Sequence, residues 1–373
     1  QERAKMQGLF SGVWGVSSVF GPLVGGFITD QLSWRGVFLI NLPVGIAAAA
    51  IIGIALKEPP RHERPTIDYL GATVLTGAMT LLLLVLGAQD VLTVRNVVLL
   101  AVVVASIIWF VQIEKRAKDP VVPLELFRNR VVAVAVGVGF LAGIAMFAAI
   151  TFVPLLAQGV FGASATEAGS FLTPLMLSWV LASIVGGRLL IKLGSRTLVF
   201  SGLISMMIGF IALAMFTHDT PRMVMMGELV LIGSGLGLTM LTLLIASQHS
   251  VAREQLGITT SLNQFSRSIG GALGVAILGA LLAAGLAQYS QNPNALVNAE
   301  ARAHIPAAEL AQLKGALEGT LRTIFAISAG VAGLAILMAL MMPAGKVGTH
   351  GESGERMVMA EMTNIDAENE PEG

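Results

Sequence analysis

Glu228 stands inside an apolar run, flanked by Met225, Met226, Leu229 and Val230, six residues beyond Arg222. At a helical rise of about 1.5 Å per residue that is roughly 9 Å of depth. A carboxyl among hydrocarbon side chains is costly, so it is a candidate for contacting a cationic ligand or taking up a proton. The plainer reading is an acid that reaches water at its helix end or pairs with a neighbouring helix. Arg267 lies ten residues into another apolar stretch, which begins near Gly257. It reads either as a charge pair or gate, or as an arginine whose aliphatic stem carries its head back to water. Asn41, Thr151 and Gln158 are candidate polar contacts, although such residues in apolar helices also bond neighbouring helices. Phe140, Met146 and Phe147 offer a soft, aromatic wall that suits lipophilic ligands, or simply helix packing. Other chemistry is thinly supplied. There is no cysteine, which excludes disulfides, thiolate metal sites and cysteine nucleophiles. The five histidines have no metal-ligand spacing, and no GxxxxGK[ST] nucleotide loop occurs. Neither an enzyme active site nor a metal site is expected.

The elements that must carry these residues are long and apolar. Of 373 residues, 55% are hydrophobic and 12% charged, against about 25% charged in a soluble domain. Mean hydropathy is +0.79. The formal net charge is zero, so bulk attraction to nucleic acid is not expected. Ten stretches are long enough to cross a bilayer, approximately 8–30, 35–56, 68–88, 96–114, 131–157, 168–191, 197–216, 222–247, 258–287 and 321–342. Between them, 57–67 carries Pro59, Pro60 and Pro65, and 114–130 carries Pro120 and Pro123. The longest connection, 288–320, contains a piece in which Pro306 starts a helix with Leu310, Leu313, Leu317 and Leu321 on one face. That piece either lies along the membrane surface or leads straight into the last span. The tail, 343–373, is rich in Gly and Glu and is expected to be disordered. Numbering connections alternately puts 17 basic residues on one side and 6 on the other, so both termini are expected to be cytoplasmic.

The first stretch carries an unusual string of small residues: Gly12, Gly15, Gly21-Pro22 and Gly25-Gly26. Glycine costs about 1 kcal/mol and proline about 3 in a water-exposed helix interior. Membrane helices use such residues for close backbone approach. This string resembles motif C, the antiporter motif of major facilitator exporters. It runs into Asp30 and then Ser33-Trp34-Arg35-Gly36-Val37-Phe38-Leu39-Ile40-Asn41-Leu42-Pro43, similar to the family's join of fifth and sixth helices. Two further spans start at Asp68-Tyr69-Leu70-Gly71 and end near Glu114-Lys115-Arg116, and resemble the pair that twelve-helix relatives lack. The turn from Gly187 through Lys192 and Gly194 to Arg196 is similar to a second copy of motif A, with Ile191 in place of its usual acid and Ser195 in place of a common basic residue. Asn263 to Gly271 (NQFSRSIGG) resembles the start of the thirteenth helix.

Together these features identify a likeness to the fourteen-helix drug:proton antiporters of the EmrB/QacA type. The resemblance implies an all-α integral membrane protein with about ten of fourteen expected helices present and the first four missing. It divides the chain into 1–56 (end of the first bundle), 57–130 (linker and two extra helices), 131–342 (second six-helix bundle) and 343–373 (tail). In that fold 131–157 and 222–247 are expected to line a central cavity. Export of lipophilic or cationic drug-like compounds in exchange for protons is implied, with a proton gradient in place of a cofactor. The runner-up is an exporter of one metabolite class, such as an amino acid, a sugar or a siderophore. A non-transporting fragment is the third reading. The family further implies a bacterial inner membrane, with a periplasmic adaptor and an outer-membrane channel as possible partners. Motif C implies a face that seals the bundles on the outer side, and the motif A turn implies gating or anchoring to anionic lipid.

Overall fold

The computed structural model describes residue 17 and residues 20–55, 68–87, 93–117, 120–287 and 306–343. Gly12, Gly15, the connections 57–67 and 288–305, and residues 344–373 lie outside the described residues. Among those described there is no strand.

Helix α1 is described over 20–31. It is followed by α2 (Trp34–Ala55), α3 (Tyr69–Leu86), α4 (Val94–Glu114), α5 (Arg130–Gly159), α6 (Ala165–Phe171), α7 (Thr173–Leu193), α8 (Ser195–Ala214), α9 (Arg222–His249), α10 (Leu256–Leu286) and α11 (Ala307–Ala339). Counting α6 and α7 as one, nine helices among the described residues are long and apolar enough to cross a membrane. They match nine of the ten predicted stretches; most of the first stretch is outside the described residues. The chain is a multi-pass membrane protein.

Two details refine the sequence reading, one correcting it and one choosing between its alternatives. The stretch 168–191 is broken at Leu172, where α6 ends and Pro174 opens α7. Proline has no N–H for the preceding turn, so the first turn of a new helix is where it fits best. Its N-terminal piece starts on a reciprocal cap: Ser164 Oγ accepts from the Glu167 N–H at 3.2 Å, and Glu167 Oε2 accepts from the Ser164 N–H at 2.9 Å. Second, the segment after Pro306 continues directly into the last span as α11. Leu313, Leu317 and Leu321 are fully buried. The apolar face seen in the sequence is therefore spent on protein, not on the membrane surface.

Helices α5 to α11 share one core, to which α5 brings Phe152 and Leu156, α6 Phe171, α7 Leu175 and Trp179, α8 Phe210, α9 Leu229, α10 Leu278 and α11 Phe325. The helices approach closely where glycines remove a side chain. A Cβ on Gly143 of α5 would stand 2.3 Å from the Arg267 carbonyl oxygen of α10, and one on Gly270 would stand 2.1 Å from the Phe140 carbonyl oxygen. Without a hydrophobic drive between helices in lipid, such close van der Waals packing is what holds them. By contrast, α2 has no buried residue and α3 and α4 have few. Their exposed Leu, Ile and Val suit lipid or further helices.

Connections gather at two ends. At one end, Asn129 Nδ2 donates to the Ser250 carbonyl at 2.6 Å, close to the α7–α8 turn in chain direction. At the other, Arg322 Nε donates to the Ala214 carbonyl at 3.2 Å and Arg222 donates to Ser170 Oγ at 2.6 Å.

Candidate functional site

Two cavities open between the helices, the second of them near mid-helix. One, of about 540 Å³, is enclosed by α5, α7, α9 and α10. The second, of about 450 Å³, lies between α5, α7 and α10 on one side and Ser17 and Pro22 of the α1 segment on the other. Trp179, Gln264 and Arg267 border both. The walls are mainly Met, Leu, Ile and aromatic, with few polar groups, the usual make-up of small-molecule sites.

The polar groups are held by neighbouring helices. Asn263 Nδ2 donates to Ser247 Oγ at 3.0 Å and to the Thr259 carbonyl at 2.9 Å. Gln248 Nε2 donates to Thr260 Oγ1 at 2.8 Å. Ser183 Oγ donates to the Gly237 carbonyl at 3.3 Å, and Ser266 Oγ to the Val136 carbonyl at 2.6 Å. Arg267 is half-buried and donates to Gln264 Oε1, one turn before it. The sequence pointed to Arg267, but not to Trp179, Asn263 or Gln264 as its companions. An apolar run read for periodicity does not distinguish a mid-helix Trp from any other packing residue.

The remaining candidates separate. Met146 and Phe147 border the second cavity with Arg267. Phe140 is turned elsewhere, into a groove shared with Ser266 of α10 and Leu334, Leu337 and Met338 of α11. Thr151 is exposed, and Gln158 Nε2 reaches the Pro154 carbonyl at 3.5 Å. Asn41 is exposed on α2 and donates to the Val37 carbonyl of its own helix at 2.9 Å. Glu228 is 8% exposed, and its buried Oε2 has no hydrogen-bond partner among the described residues. It borders neither cavity; its backbone carbonyl faces Gly209 of α8.

The glycine string of α1 meets α6. A Cβ on Gly26 would stand 2.6 Å from the Ala165 carbonyl oxygen, and one on Gly169 would stand 2.4 Å from the Pro22 carbonyl oxygen. Among the described residues nothing stands within 4 Å of a Cβ on Gly21 or Gly25. At the same crossing the Asp30 carboxylate caps α6: Oδ1 accepts from the Ala165 N–H at 3.0 Å and Oδ2 from the Thr166 N–H at 2.7 Å, with Thr166 Oγ1 donating to Oδ2 as well. Asp30 entered the sequence reading only as the end of a stretch; its partner 136 residues away leaves no local signal. At the opposite end, Gly194 takes φ 78° to turn α7 into α8, a left-handed conformation that favours glycine. Gly187 sits one turn before Lys192 and Arg196 flanks the turn; Lys192 is exposed.

Residues 1–275 match the sequence profile of the Major Facilitator Superfamily. The chain is 40% identical over 286 residues, or 76% of its length, to the multidrug transporter protein MdtP of Bacillus subtilis. It is 32% identical over 94% of its length to multidrug resistance protein 3 of the same organism, covering 73% of that protein. An MFS-type efflux pump of Arthroderma benhamiae is 30% identical over 74% of the chain. The chain spans about half of the lengths of MdtP and of the fungal pump, 53% and 54%. The nine membrane-length helices, the close crossing of α1 on α6 and these matches agree: the chain belongs to the major facilitator superfamily.

Proposed function

We propose that this chain forms part of a secondary transporter, rather than an enzyme, that exports lipophilic compounds across a bacterial cytoplasmic membrane in exchange for protons. The observation that carries this reading is the second cavity, walled by α1 on one side and by α5, α7 and α10 on the other. A mid-helix site between two helix groups that can rock against each other is the geometry alternating access requires. The relatives named as multidrug transporters and efflux pumps support the substrate range. The α1–α6 crossing is the seal that closes one end of the path. The end carrying Lys192, Arg196 and Arg253 faces the cytoplasm, in keeping with the excess of basic residues there. Glu228 is the proton candidate within this chain: a buried carboxylate with no cationic partner is costly, and a bound proton removes its charge.

The test is the full-length protein in a host stripped of its own pumps. Raised resistance to lipophilic compounds is expected, with dye efflux that stops when a protonophore collapses the gradient. Efflux that persists without a gradient would remove proton exchange. Unchanged resistance and unchanged dye retention would remove export altogether.

A further inference from the structure

Among the described residues, Arg267 is the single charged side chain bordering either cavity. No carboxylate among them lies within ion-pairing distance of it. Its guanidinium, which has five N–H donors and holds its charge at any physiological pH, is engaged by Gln264 alone. Of the neighbouring polar side chains of the wall, Asn263 is bonded to Ser247 and Thr259, Thr260 to Gln248 and its own helix, and Ser183 to Gly237; Ser17 and Ser268 add only neutral hydroxyls to the second cavity. What the cavities present to a ligand is therefore one unspent planar cation beside apolar and aromatic surface.

The backbone fixes that cation in place. Gly143 of α5 lies directly against the Arg267 backbone, and Ser266 is bonded to Val136. The guanidinium thus stands on a rigid crossing rather than a loop. Glu228, the acid that the sequence offered as a contact for a cationic ligand, borders neither cavity.

We propose that the Arg267 cavities bind amphipathic anions: a carboxylate taken by the guanidinium fork, with an apolar or aromatic body lying against Trp179, Met146 and Phe147. Planar, two-pronged donation matches a carboxylate. Cavities of about 540 and 450 Å³ suit a drug-sized molecule, and are small for the two acyl chains of a phospholipid. The inference deepens the export reading and rests on it for its physiological meaning.

The experiment is binding to the full-length protein in detergent, read by tryptophan-to-pyrene energy transfer. Three probes share one apolar body: 1-pyrenebutyrate, 1-pyrenebutanol and 1-pyrenebutylamine. The carboxylate is expected to bind about tenfold tighter than the alcohol, as a charge-assisted pair allows, and the amine weakest. Arg267→Gln should abolish the preference while leaving the alcohol's affinity unchanged. Arg267→Lys, which keeps the charge but loses the fork, should retain part of it.

Equal affinity of carboxylate and alcohol for the wild-type protein would overturn the proposal, whether or not the variants fold. So would a preference that survives Arg267→Gln, or a gain in amine binding in that variant, which would reveal a protein carboxylate as the true partner. Displacement of pyrenebutyrate by equimolar phosphatidylglycerol would assign the fork to a lipid headgroup, and would also overturn it. Failure here leaves resistance and dye efflux untouched, so it is distinct from failure of the export reading.

Discussion

A buried carboxylate with an unbonded oxygen is a poor structural choice, because leaving a charged acceptor unsatisfied costs more than a typical hydrogen bond returns. Glu228 is in that position, with Met225 and Leu229 buried beside it. Glu228→Gln keeps the shape and removes both charge and titration. If Glu228 carries protons, the full-length variant should reach normal levels in the membrane yet lose at least tenfold in gradient-driven efflux; wild-type efflux would show that proton coupling lies elsewhere. Its depth was legible from the sequence, since a lone acid among methionines and leucines stands out. Its facing was not, because an all-apolar surround gives no periodicity from which to infer which side meets the cavity. Phe140 failed for the same reason. It shares a helix face with Phe147, seven residues on, yet about 10 Å further along the axis that face meets a different neighbour, α11.

The element scale shows how much a partner decides. The glycine string could be read as a close-packing face, but six small residues could not reveal which of them touch. α6 selects Gly26 and leaves Gly25 open. Gly26→Val should therefore drive a side chain into the Ala165 backbone, with overpacking of about 1–3 kcal/mol or more, and impair export. Gly25→Val has open space in this state and should be expressed normally. Equal behaviour of the two variants in melting temperature and efflux would mean that α1 does not cross α6 here. Asp30 adds a cap of the kind typically worth about 1 kcal/mol. Because it bridges two helices far apart in sequence, Asp30→Asn should loosen the crossing more than it destabilises either helix. The expected result is faster modification of a cysteine placed at the cavity (Ser268→Cys) from the Asp30 side, with little change in melting temperature. Unchanged modification would reduce Asp30 to a local cap.

At the scale of the whole molecule, the helices were legible because lipid demands about twenty apolar residues for each crossing. Nine predicted stretches recur as helices. What composition could not reveal was the break at Leu172, or which of two courses the segment after Pro306 takes, since both depend on which groups find partners. The sidedness follows from charge and can be tested with introduced cysteines, since these 373 residues contain none of their own. Asp219 and Glu254 are exposed, in the α8–α9 and α9–α10 connections, so one transmembrane helix separates them. With the basic end in the cytoplasm, Asp219→Cys in intact cells should react with a membrane-impermeant maleimide, and Glu254→Cys only after permeabilisation. The reverse pattern would invert the molecule and make the α1–α6 crossing an inner seal. Labelling of both from one side would mean that α9 does not cross the bilayer, and the cavity between α1 and α5 would then lie outside any path from one side of the membrane to the other.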